Sequence, residues 1–229
     1  MPVIKYKDVL LHFAHIPKCG GTSIERYVQG LNGVSLAFLD EQYVISPPQQ
    51  RHWNISSPQH IDGESLSRLF PKDFFTAFFT IVRHPIARLE SAYKFQRLVE
   101  RRIGSDETLD QFVKTTLLEN VLTKGWMDGH FFPQSGFFYP GANYQVFKLE
   151  ENGAEKAKAF IDAALFGNPA SHPMTHSNHL RLPEGFDRGD LALSDEGLAI
   201  AEKLYGMDFD NFQYQRPSAA QQLPEAVAS

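Results

Sequence analysis

The chain has 229 residues, of which 42% are hydrophobic and 21% charged, and its net charge is −5 at pH 7. That profile belongs to a globular chain large enough for a real core, and its acidic balance argues against broad nucleic-acid binding, which needs a basic face; a local basic patch is left at Arg97, Arg101 and Arg102. One cysteine excludes an intrachain disulfide, the first twenty residues have no apolar leader, and no run approaches the roughly 20 apolar residues of a membrane span, so the sequence reads as cytoplasmic.

Residues 9–15 should form a first strand and residues 22–31 a helix closed by Gly30 or Gly33. A short strand is possible over 34–38. Residues 40–58 are polar and broken by prolines, and a loop of that length is usually functional. A short helix over 63–70 ends at Pro71. The near-continuous apolar run 75–82 is what a central parallel strand needs. Pro85 opens a helix reaching about Arg101, at the position where proline is favoured. Further helices are expected over 108–118, over 153–165 with Gly167 as the stop, and from a Ser194 cap to about Tyr205. Residues 121–140 are irregular and aromatic, 144–149 read as a strand, and 168–191 as a long loop. The Phe pairs that supply much of the count of 19 Phe read as core. Strands alternating with helices give an α/β fold, here a P-loop-like three-layer arrangement around a central parallel sheet. Residues 1–215 read as one domain and 216–229 as a disordered tail.

Two stretches carry chemistry. In the first, residues 10–27, a buried strand runs into Pro17-Lys18-Cys19-Gly20-Gly21-Thr22-Ser23 and then a helix. Glycines let backbone N–H groups approach a ligand, and a helix start adds free N–H groups and the positive end of its dipole. Thr22 and Glu25 have capping-box spacing, which puts the helix start at Thr22. Lys18 adds a charge, so the stretch suits a phosphate or sulfate. It is not a nucleotide-triphosphate loop, whose lysine follows the glycines. It is not a tyrosine-phosphatase loop either, since Cys19 and Arg26 are separated by six residues and not five. The second stretch, Ile81-Val82-Arg83-His84-Pro85-Ile86-Ala87-Arg88-Leu89-Glu90-Ser91-Ala92-Tyr93, is again strand, turn and helix, with Ser91 just over two helical turns beyond Arg83. Both anion stretches fall at strand carboxyl ends, where open α/β sheets collect ligands.

The first stretch, His15-Ile16-Pro17-Lys18-Cys19-Gly20-Gly21-Thr22-Ser23, resembles the 5′-phosphosulfate loop of sulfotransferases, notably the glycan-acting branch. The second is similar to that family's 3′-phosphate segment, with His84 where Asp or Asn is commoner. The segment 204–209 also resembles the family's C-terminal end. The resemblance implies a soluble enzyme, bacterial in type or a trimmed catalytic domain, that moves a sulfuryl group from 3′-phosphoadenosine 5′-phosphosulfate (PAPS) to a hydroxyl, with PAP as product and no metal. The acceptor would be a glycan, with no nucleic-acid partner. On that reading Lys18, Cys19, Gly20, Gly21, Thr22 and Ser23 form the loop on the 5′ side. Lys18 also neutralises the leaving phosphate. Arg83 and Ser91 clasp the 3′-phosphate by charge-assisted hydrogen bonds, and Arg88 is structural.

For the base, the resemblance to uronyl-type members implies His60, with His52, His130 and Glu64 as rivals. His130 and Gln134 would line the acceptor cleft, and Asn178, in a late loop, would contact the nucleotide. Two features read against chemistry. His172, His176 and His179 have metal-like spacing but no accompanying acid ligand. Cys19, at a helix start that should lower its pKa, is taken as a small filler. The competing functions are a Mg-ATP-dependent small-molecule kinase, a non-catalytic nucleotide binder and a cysteine hydrolase.

Overall fold

The computed structural model describes residues 2–40, 42–43, 46, 56–168, 173–174 and 182–217. The chain opens with a hairpin, β1 (Val3–Tyr6) and β2 (Val9–Ala14), turned at Lys7, which takes the left-handed φ of 51° that a two-residue hairpin favours. β2 leads into α1 (Gly21–Gln29), and β3 (Ser35–Ala37) returns to the other side of β1. Then come α2 (Gly63–Ser67), β4 (Ala77–Val82) and α3 (Pro85–Leu98). A capping box at Thr108 starts α4 (Leu109–Phe112), which passes through a π turn into α5 (Leu118–Asn120). β5 (Tyr144–Lys148), α6 (Gly153–Phe166), α7 (Asp195–Leu204) and α8 (Gly206–Asn211) complete the order.

The five strands form one sheet in the order β3-β1-β2-β4-β5. Its centre, β2-β4-β5, is parallel, as expected of an α/β fold. The other side is not: β1 is antiparallel to β2, and β3 is antiparallel to β1. The sequence signal for β1 is weak because it is four residues long and Lys5 faces solvent. β4 is buried along almost its whole length, the pattern of a strand covered on both faces.

Helices cover both faces. α1 and α6 pack on one side around Phe13, Ile24, Val28, Phe79, Ile81 and Ile161. Tyr27 of α1 donates a hydrogen bond to the buried Asp162 of α6, which also pairs with Lys158. On the other side α3, α4, α7 and α8 enclose Leu89, Tyr93, Phe112, Phe131, Tyr205 and Phe209. A third cluster, around Phe75, Phe78 and Tyr139, closes the amino-terminal end of the parallel strands. Within it His12 is fully buried, with Nδ1 3.0 Å from the Tyr144 hydroxyl. The Phe-rich composition therefore resolves chiefly into core, but Phe74 is exposed.

Helix boundaries agree with expectation at Ser194, whose side chain accepts from the Gly197 N–H, at Pro85, and at Gly167, which closes α6 with a φ of 74°. α8, a separate short helix after Tyr205, is an addition. The expected tail lies outside the described residues beyond 217.

Candidate active site

The loop between β2 and α1 is built from two left-handed residues, Lys18 (φ 67°) and Gly20 (φ 83°). Lysine has no intrinsic ease in that region, so the loop stores strain of about 1 kcal/mol at the residue proposed to meet the donor. The two glycines are needed for different reasons. Gly20 combines its positive φ with the nearby Leu149 side chain, 3.1 Å from where a Cβ would sit. Gly21 lies under the His15 ring, and a Cβ there would fall 2.0 Å from His15 Nε2. The expected capping box at Thr22 does not form. α1 starts at Gly21 with Gly20 as its cap and no side-chain cap bond. Glu25 is buried and turns to His15, with Oε1 2.6 Å from Nδ1, so its carboxylate faces an imidazole and not the helix-end amides.

Cys19 is buried, and its thiol donates to Gln134 Oε1 at 3.4 Å. Burial pushes its pKa up to about 12 against the pull of Arg88 and Arg83. The lowering expected from the helix start is therefore overturned, and the filler reading stands.

The second loop is tied to the first. The Arg83 N–H donates to Gln134 Oε1 at 2.9 Å, and Gln134 Nε2 donates to the Arg83 carbonyl at 2.8 Å. Arg83 Nη1 reaches the Lys18 carbonyl at 3.4 Å. Gln134 and Ser135 in turn donate their N–H groups to the two carboxylate oxygens of buried Asp208. Gln134 is fully buried, its Oε1 accepting from Cys19 and Arg83 and its Nε2 donating to Arg83, so the structure holds it between the two loops. It is a strut between the loops. Arg88 is the other strut: buried, it donates to the carbonyls of Pro17, Phe132 and Gly129 at 2.9, 3.0 and 3.5 Å. Ser91 is half-buried on α3, near the face of the helix's first turn.

The third part is a row of histidines. His60 ends a 3-10 turn, Pro58–His60, and its Nδ1 lies 2.7 Å from Asp128 Oδ2. Asp128 is buried, and it also accepts from the Ser57 N–H at 2.6 Å and the Ser57 hydroxyl at 2.9 Å. Its pKa is held well below the usual carboxylate range: burial opposes the shift, but the His60 charge and these donors outweigh it. Asp128 and Met127 are both left-handed, at φ 54° and 45°, a strained pair that aims the carboxylate inward. His130 Nδ1–H donates to the Met127 carbonyl, 2.8 Å away, and burial drives its pKa down to about 3. Ring centroids are 5.0 Å apart for His15 and His60, and 5.5 Å apart for His60 and His130.

Lys18 completes the row. Its Nζ sits 4.0 Å from the centroid of Phe95, and the Phe95 ring also stacks on His130 at 5.1 Å. Burial and the charge of Arg83 bring the Lys18 pKa down to about 8.

His60, Asp128 and His130 present ligand atoms within 4.8 Å of one another. Both oxygens of Asp128 accept from Ser57 or His60, and the Lys18 cation acts on His130, so the trio is one coupled polar network.

The structure thus brings Lys18, Arg83, His60 and His130 into one cluster near the carboxyl ends of β2 and β4, linked through the Lys18 carbonyl, the Phe95 ring and the histidine row. Glu64 is exposed and paired with Lys124 and Arg68, at 2.6 and 2.8 Å, which hold it below its ordinary pKa and make it a poor base. Asn178, His52, His172, His176 and His179 lie outside the described residues. Asp128, Glu25 and Phe95 are additions. In the sequence Glu25 reads only as the partner of a capping box with Thr22, and Asp128 stands beside Gly129 in an aromatic stretch that has no assigned element.

The site is therefore a loop of positive-φ residues at the end of β2, tied to the loop after β4 and flanked by a lysine and a histidine–carboxylate pair, at the central strand ends of an α/β sheet. A model of the sulfotransferase family matches residues 3–215, and the chain belongs to that family. No curated protein and no solved structure matches it. No helix among the described residues is long and apolar enough to cross a membrane.

Proposed function

We propose that this sulfotransferase takes its sulfuryl group from PAPS and delivers it to a hydroxyl of a carbohydrate, within one domain spanning residues 1–215. The donor assignment is supported by the paired anion loops, and the acceptor class by the likeness of residues 15–23 to the glycan-acting branch. The observation that carries the chemistry is the 2.7 Å contact between His60 Nδ1 and Asp128 Oδ2. An ionised carboxylate there keeps the imidazole proton on Nδ1 and leaves Nε2 as the lone pair that accepts a proton.

In the reaction the acceptor oxygen forms a bond to sulfur as the bond from sulfur to the 5′-phosphate oxygen breaks. The acceptor proton passes to His60 Nε2, and Asp128 stabilises the imidazolium. The electron pair stays on the departing phosphate, where Lys18 offsets the growing charge. Backbone N–H groups of Gly20 and Gly21 and the hydroxyls of Thr22 and Ser23 hold the 5′-phosphate. Arg83 and Ser91 hold the 3′-phosphate, with Asn178 as a further contact. Cys19 and Gln134 act from behind, keeping the two loops in register.

Calorimetric titration with PAP, beside ATP with Mg²⁺, tests the donor. We expect metal-independent PAP binding, weakened by Arg83→Ala by about 1.5–3 kcal/mol for a lost charged hydrogen bond. Preference for ATP–Mg²⁺ and indifference to the 3′-phosphate would sink the assignment.

A further inference from the structure

Lys18 is the catalytic lysine of the proposed reaction, yet no carboxylate among the described residues pairs with it. Its ammonium rests 4.0 Å above the centre of a ring. The face of an aromatic ring is electron-rich, and a cation within about 6 Å of its centroid is attracted to it, most strongly where water is excluded. Phe95 is four residues beyond Ser91 on α3, so the two side chains lie on the same helical face, one turn apart. The ring is held in turn by its stack on His130, tilted by only 10°.

We propose that Phe95 is a positioning residue, a π-face rest that holds the Lys18 ammonium charged beside the reacting atoms until an anionic donor takes it over. This inference rests on reading Lys18 as the group that meets the transferring sulfuryl. A carboxylate in the same place would have to be displaced from the lysine by each incoming anion, whereas a ring face gives the cation up more easily. The charged groups acting on Lys18 are Arg83 at the end of β4, Lys94 on α3 and Glu100 just after α3, with the neutral titratable groups Cys19 in its own loop and His130 stacked on the same ring. Arg83 and Lys94 disfavour the charged lysine, and burial disfavours it further, so the pKa of about 8 leaves a margin that the ring helps to keep.

The sign follows. Leucine at 95 keeps the site dry but removes the π face, so the charged form loses support and the pKa falls. The experiment is a pH titration of ¹³C-lysine-labelled protein by NMR with no nucleotide present, the Lys18 signal being assigned by its loss in Lys18→Met. In Phe95→Leu the Lys18 midpoint should drop by about one pH unit, and Phe95→Tyr should restore it. Should the leucine variant not fold, fluorinated phenylalanines at 95 weaken the π face at nearly constant volume, and the midpoint should fall with each added fluorine. A midpoint that stays put or rises in these variants overturns the proposal. Turnover of Lys18→Met is measured separately: full activity would overturn the role given to Lys18 while leaving the titration result standing.

Discussion

Replacing Asp128 with asparagine removes the charge behind His60 while keeping a side chain that can still meet Ser57. If His60 is the base, turnover should fall about 10²–10⁴-fold, with PAP affinity unchanged by calorimetry; an equal loss of affinity would make Asp128 a structural residue. At Gly21 the argument is steric. A methyl group 2.0 Å from His15 Nε2 must push that ring away, so Gly21→Ala should lower stability by about 1–3 kcal/mol in urea melts and break the His15–Glu25 contact. Cys19 gives the opposite kind of prediction. Its buried thiol, pushed up to about 12, should stay unreactive toward a disulfide reagent at pH 8 and react only on unfolding. Rapid labelling of the native protein would contradict that placement.

Between elements, the loops after β2 and β4 are joined by polar struts above the shared apolar core. Arg88 bonds three carbonyls from two segments, one of them just before Lys18. A lysine has one nitrogen on a flexible stem and cannot reproduce this fork. Arg88→Lys should therefore leave buried carbonyls without donors and cost about 2–4 kcal/mol, read as a lower urea midpoint at unchanged slope. The Gln134–Arg83–Asp208 chain does the same between α8 and the end of β4, beside the burial of Phe209 from the same helix.

For the whole molecule, buried neutral histidines set the response to acid. The folded pKa of His130 is about 3, against about 6.5 for an unperturbed histidine. The unfolded chain thus binds the proton first, and the stability His130 contributes is complete above pH 6.5 and lost as pH falls toward 3. From pH 7.5 to 5 that loss is about 2 kcal/mol. Fully buried His12, whose pKa is also lowered by burial, adds in the same direction. Asp128, with its depressed carboxyl, acts only below about pH 4. Thermal melts at pH 7.5 and 5 should show the drop, and His130→Phe should flatten it. An unchanged slope in that variant would place the acid sensitivity elsewhere.

What could be read from the sequence alone was whatever depends on neighbours along the chain. The apolar run of β4, the Pro85 helix start, the Ser194 and Thr108 caps and the glycine loop at Lys18 all follow from local sterics and local hydrogen bonds, and they suffice to find the α/β class and the two anion loops. The strand at 34–38 was legible, but β1 and the antiparallel pairing of both escaped, because short half-polar strands are stabilised by their partners in the sheet. The roles of Gln134, Glu25 and Asp128 escaped for a related reason. Each bonds across 10 to 115 residues of sequence, to Cys19, His15 and His60, and only burial makes those polar partners obligatory. The sequence by itself was enough to mark two loops of anion-binding type at the strand ends. Tertiary packing alone decided which histidine has a carboxylate behind it, because desolvation and charge act through space and not along the chain.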